Sequence, residues 1–264
     1  MNTQTLHDGS FAGLPARRLA AAYLEETRCE ALRLLRNRGL AFPVLVMPVA
    51  LYALIALVVS AEATAKDPIV GVFLFSAFSV MAVSMPALFG IGTSLAMERE
   101  MGLLRLKRAQ PAPAGSWLVA KIACGLAFGA IAYQPILGVA LAAGSLPLEP
   151  VRVVAMSAAL LACAVPFCAM GLMIGTLFRG GSAPGYANLV YLPGCYLSGM
   201  FFPLPQSMHW QVPLWPQFHA GQLAMHAAGI EKLQFVPVLV AVGGVVGFTV
   251  LFSAVAIWRL ARKG

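Results

Sequence analysis

Three groups of residues have the types and spacing for chemistry. Glu98, Arg99 and Glu100, followed by Arg105, Lys107 and Arg108, form a short charged run that could dock a partner protein. Ser198 stands before Gly199, with His209, His219 and His226 downstream, and an intramembrane serine hydrolase would draw a nucleophile and a base from such a set. His219 and His226 are seven apart and could share a helix face, which is one half of a metal site at best. The second and third groups weaken on inspection. All three histidines lie in a proline-rich segment ahead of the last apolar run, Leu233–Trp258, which has none. Ser198 therefore reads as a small packing residue or a pocket wall. No carboxylate or cysteine accompanies the histidines, so no metal is expected. Cys29, Cys124, Cys163, Cys168 and Cys195 form no C-x-x-C pair and read as packing residues. The chain carries no G-x-x-x-x-G-K-[ST] phosphate loop, and no catalytic residue of its own is expected.

The elements that must position these residues follow from composition. Of 264 residues, 60% are apolar and 11% charged, with a mean hydropathy of +0.82. A soluble domain is about a quarter charged, so this chain cannot wet its own surface. The charges are also spaced to leave long gaps. Charge-free runs lie between Arg38 and Glu62 and over Pro68–Met97, Ile122–Leu148, Val153–Phe178, Gly180–Ile230 and Leu233–Trp258. Each can hold a helix of ~20 residues, enough to cross a bilayer core. The run Gly180–Ile230 is 51 residues long, but Pro203, Pro205, Pro213 and Pro216 crowd its second half. That half cannot run as one lipid-facing helix. The expectation is an all-α polytopic membrane protein with six transmembrane helices. The spans are placed at about 40–61, 69–97, 118–144, 153–178, 186–202 and 234–258, in one transmembrane domain over 39–262. A re-entrant segment joins spans five and six.

Orientation follows from the basic residues. With the N-terminus inside, the cytoplasmic segments hold 15 Lys and Arg and the outer ones 3. The net charge of +8 then divides into +9 inside and −1 outside. A pI of about 9.6 is thus the signature of a membrane face meeting anionic lipid, and needs no nucleic acid. No charge falls in the middle of a span and no inverted repeat is visible, which disfavours ion-coupled carriage. Residues 1–14 read as a flexible cytoplasmic tail. Residues 15–38 read as an interfacial amphipathic helix, with Leu19, Ala22, Cys29, Leu32 and Leu35 on its apolar side. Trp210, Trp215 and Phe218 are expected at the outer interface, Trp117 and Trp258 at the inner one.

The loop Met97–Pro111 is a helix-capable element at the inner mouth. Leu103, Leu104 and Leu106 stand among Arg105, Lys107 and Arg108, Pro111 and Pro113 stop the helix, and Lys121 opens the next span. It can serve as a docking element or as a basic loop that only sets topology. Glu98 and Glu100 are two apart, so on a helix they diverge by about 200° and cannot face one partner. One should hold the loop within the chain.

On these residues the sequence resembles the membrane subunit of type-2 ABC exporters. Glu98, Arg99, Glu100, Gly102, Leu104, Pro111 and Lys121 match that family's E-R-E-x-x-G loop. Asn188, Leu192-Pro193 and Ser198-Gly199-Met200-Phe201-Phe202-Pro203, with Pro216 and His219 beyond, resemble the close of its fifth span. The layout agrees over roughly residues 20–262. Leu103 and Arg105 depart from it, standing where the family often has a small hydroxyl residue and a glutamate. The basic trio would thus face a more acidic partner than usual.

The resemblance implies a permease that pairs with a second copy of itself and with two copies of a separate ATP-binding subunit. That partner would bind the ATP and Mg; this chain would hold no cofactor. The loop would supply the coupling contact through Glu98, Arg99, Glu100, Gly102, Leu104, Arg105, Lys107 and Arg108. Arg179, in Phe178–Ser182, would add a secondary one. The setting implied is a prokaryotic inner membrane, with both termini cytoplasmic and lipid all around. A substrate path between two copies would be lined by small and aromatic groups: Asn188, Tyr191, Tyr196, Ser198, Phe201 and Phe202, with Ser76, Ser79, Ser84, Thr93 and Gln134. Such a lining suits amphipathic or lipid-like molecules. A non-transporting membrane scaffold and an intramembrane serine hydrolase are the alternatives.

Overall fold

The computed structural model describes residues 16–56, 67–109, 113, 115–202 and 204–263, and among them every regular element is helical. The expected tail over 1–14 and the end of the first span, residues 57–61, lie outside the described residues.

The centre of the bundle is one long post. Asp67 caps its start, its carboxylate accepting from the Ile69 N–H at 3.0 Å, with Pro68 in the first turn. Helix α3 (Pro68–Met85) then passes through a π-helical stretch, Pro86–Gly90, into α4 (Ile91–Glu100). Pro86 has no N–H to donate, and the wider turn accommodates its ring. Other helices enclose the post on nearly all sides.

Around it stand α2 (Arg38–Ile55), α6 (Ser116–Ala142), and a pair in sequence, α7 (Pro150–Ala162) and α8 (Ala164–Leu177). The α8 helix reaches the post through two glycines. A Cβ on Gly171 would lie 2.8 Å from the carbonyl oxygens of Ala87 and Leu88, and one on Gly175 equally close to that of Gly92. These backbones touch, as the G-x-x-x-G spacing suggests. The second such pair behaves differently. Gly243 and Gly247 meet nothing within 4 Å, and Gly244 instead receives the His219 ring.

Among the described residues, four segments are long and apolar enough to cross a membrane: 69–100, 116–142, 150–177 and 238–262. The last belongs to α11 (Val238–Lys263), which packs on α8. At the expected first and fifth spans the described helices are shorter. The apolar part of α2 is Phe42–Ile55, and α9 (Ala183–Leu197) has 15 residues. The α9 helix stops five residues before Phe202 because Gly199 takes a left-handed φ of +70°. Beyond it come a 3-10 stretch (Gln206–Leu214) and α10 (Pro216–Ala228), which lies on α7 and α11. Trp210 and Trp258 are exposed there and on α11, whereas Phe218 is buried.

Helix α1 (Ala16–Arg36) is turned inside out relative to a soluble amphipathic helix. Leu24, Leu32 and Leu35 are exposed, while Glu30 is 4% exposed and faces the bundle.

Candidate functional site

The charged loop is built on the lower end of the post. After Glu100 the chain turns at Gly102, whose φ of +72° is left-handed, and continues as α5 (Leu103–Ala109). Leu104 is buried in the bundle and anchors this short helix; Met101, Arg105 and Leu106 remain exposed. Nothing is described of the Arg108 side chain.

Glu98 and Glu100 diverge as helix geometry requires. Glu98 points inward and is fully buried; Glu100 is exposed. Burying one carboxylate costs several kcal/mol unless it is paired, and its partners come from three other helices. Lys121 Nζ of α6 donates to Glu98 Oε1 at 3.0 Å, to Glu30 Oε1 of α1 at 2.8 Å and to Ser94 Oγ at 3.1 Å. Arg33 of α1 donates to Glu98, and to Glu30 at 2.7 Å. Lys107 of α5 bonds Glu26 at 2.7 Å and stands 3.7 Å from Glu98. Three carboxylates thus meet three cations, a neutral set that ties α1, α4, α5 and α6 into one joint.

The neighbouring residue does a related job. Arg99 Nη1 donates to the Gly175 carbonyl at the end of α8, at 2.8 Å. Beyond α8, Gly180 lies so close to the post that a Cβ would stand 2.7 Å from Glu100 Oε2 and 2.9 Å from Met97 Cα. Only glycine fits, and the loop Phe178–Ser182 is thereby held against the end of α4. Between the two loops is a cleft of about 500 Å³, lined by Arg99, Glu100, Gly102, Leu104, Arg105, Phe178 and Arg179. Six of the nine residues singled out for docking lie on that one cleft. Of the others, Glu98 and Lys107 belong to the joint behind it.

Sequence reasoning missed the α1 contribution. Glu26, Glu30 and Arg33 are spaced i, i+4, i+7, which puts them on one helix face. That spacing was the available signal, but such a stripe ordinarily faces water.

The residues expected along a substrate path fall into three settings. Asn188, Gln134, Tyr196 and Phe202 are exposed. Tyr191 is core: its hydroxyl lies 2.6 Å from Ser84 Oγ, and its ring meets Phe89 and Phe167 edge-on. Ser79 is also buried, Thr93 bonds its own helix at Phe89 O, and Phe201 packs on Phe78. Ser76 and Ser198 instead line a cavity of about 410 Å³ between α3, the turn after α9, and α10. Ser198 Oγ donates to Cys195 O, at 3.2 Å. The histidine Nε2 atoms lie on backbone carbonyls: His209 on Leu204, His219 on Pro213 and His226 on Val236. Among the described residues no hydrogen bond joins Ser198 to a histidine. These imidazoles fasten the irregular segment.

Comparison with known proteins adds two findings. A family model described as "ABC-2 type transporter" matches residues 26–226. The chain is also similar to a protein of Bacillus subtilis (strain 168) named "Putative transport permease YvfS", with 26% identity over 203 residues, covering 75% of this chain and 81% of that one.

Proposed function

The chain belongs to the ABC-2 type transporter family, and from that premise we propose that it is the permease subunit of an ATP-driven exporter. It is a transport component of a membrane, and families of this kind work with an ATP-binding subunit. In this reading two copies of the chain pair with two copies of a separate ATPase, which binds ATP and Mg. The pair moves an amphipathic or lipid-like substrate outward across a prokaryotic inner membrane, with both termini in the cytoplasm.

The observation that carries the reading is the cleft between the two inner loops. It is open, rimmed by Arg99, Arg105 and Arg179, and backed by the buried joint of Glu98 and Lys121. A partner element seated there would push on a rigid base rather than on a flexible loop. Its motion would pass through α5 and the joint to α1, α4 and α6 together. The exposed faces of α2 and α9 (Phe42, Leu54, Leu189, Tyr196) offer surface for a second copy or for lipid. The irregular segment with α10 would cover the outer exit.

The test is co-purification. The tagged chain should bring down a subunit bearing a phosphate loop. Arg105→Glu and Arg179→Glu should each weaken that complex while leaving the permease folded. Retention of the ATPase at wild-type yield by the double variant would leave the cleft without a coupling role.

A further inference from the structure

The outer cavity has no part in the contacts described at the inner mouth. Its walls are mainly aromatic and aliphatic. Among the described residues, no Asp, Glu, Lys or Arg lines it. His209, the one ionisable residue among the described wall residues, has Nε2 engaged with Leu204 O at 3.0 Å. An ion entering such a space would lose its hydration and find no counter-charge. Gln222 is also used up, since its amide donates to Leu233 O and accepts from the Phe235 N–H.

Two polar groups on the wall are different. Ser76 is 3% exposed and Gln217 is 1% exposed. Among the described residues, Ser76 Oγ and Gln217 Oε1 have no hydrogen-bond partner. Buried polar atoms are nearly always satisfied, and these two stand on α3 and α10, the two helices that wall the same apolar space. One can donate or accept; the other only accepts. Together they suit a hydroxyl or amide N–H on an otherwise apolar body. The volume falls in the range of small-molecule sites.

We infer that this cavity is a binding site, within a single chain, for an uncharged amphiphile whose hydroxyl or amide group bonds Ser76 and Gln217. The molecule can arrive as transported cargo or as a neutral lipid alcohol of the membrane, and the chemistry of recognition is the same.

Gly221 provides the test. It lies on the cavity wall in α10, and a Cβ added there meets nothing within 4 Å. Gly221→Leu therefore starts its side chain in open space on the cavity wall, at a position where the helix gains from losing glycine. The full chain in nanodiscs is exposed to a photoactivatable long-chain alcohol, and the cross-links are mapped by mass spectrometry. Dodecanol, dodecanoate, dodecylammonium and dodecane serve as competitors. Cross-links are expected on α3 and α10, with dodecanol competing about tenfold better than the ions or the hydrocarbon, the value of one or two good hydrogen bonds. Gly221→Leu should lose them while eluting and unfolding like the parent chain. Ser76→Ala with Gln217→Leu should keep the cross-links and lose the preference for dodecanol over dodecane. Equal competition by dodecanoate, or undiminished labelling of Gly221→Leu, overturns the inference. The binding measurement does not depend on the transport reading, which fails separately if no ATPase accompanies the chain. With that ATPase present, stimulation of hydrolysis by dodecanol identifies cargo. Binding without stimulation identifies resident lipid.

Discussion

Lys121 Nζ lies 3.0 Å from Glu98 Oε1, and both side chains are sealed from solvent where the charged loop meets the bundle. The pair is one edge of a larger neutral set with Glu30 and Arg33, so its value lies in balance. Lys121→Met should leave a buried negative charge in excess and cost about 3 kcal/mol, as for other broken buried pairs. Glu98→Gln should cost a similar amount through excess positive charge. The double variant restores neutrality and should unfold at a higher temperature than either single one. A thermal unfolding series in nanodiscs checks this, and additive losses would show that charge balance is not what holds the joint.

Glu100 should behave in the opposite way. It is exposed at the cleft, so Glu100→Ala should change stability by no more than about 0.5 kcal/mol. On the proposed coupling reading, its effect should fall on hydrolysis by a co-purified ATPase, measured with and without this chain. Unchanged stimulation in a well-folded Glu100→Ala protein would confine this residue to the loop's own shape.

The glycines divide sharply. Gly171→Ala and Gly175→Ala would drive a Cβ into backbone carbonyls 2.8 Å away, which side-chain rotation cannot relieve. Each should cost about 1–3 kcal/mol. Gly244→Ala should displace the His219 ring and loosen α10 from α11. Gly243→Ala and Gly138→Ala meet open space and should be neutral or slightly stabilising. Unfolding temperatures of the five variants sort them directly.

Tyr191 is a packing residue in this fold. Tyr191→Phe removes one hydroxyl from a buried bond to Ser84 and should cost about 1–2 kcal/mol. The range of molecules that stimulate ATP hydrolysis should not change. A shifted range with unaltered stability would return Tyr191 to the substrate path.

The residues of this chain determined a good deal unaided. Sparse charge and long apolar runs required helices, because lipid leaves backbone groups no partners outside the segment. The 3.6-residue period required Glu98 and Glu100 to part, and prolines broke the segment after Phe202. Those are properties of composition and of one helix at a time. What stood opposite each side chain was decided only by tertiary structure. The partners of Glu98 are 65 and 23 residues away, on α1 and α6, and no local period indicates which helices will meet. The inversion of α1 was hidden for a related reason. Beside a membrane, leucines gain as much by facing outward as inward, so the charged stripe of Glu26, Glu30 and Arg33 is free to face the bundle. The glycine motifs show the same limit: spacing placed Gly171 with Gly175 and Gly243 with Gly247 alike, and only the path of the neighbouring helix made one pair a contact and left the other open.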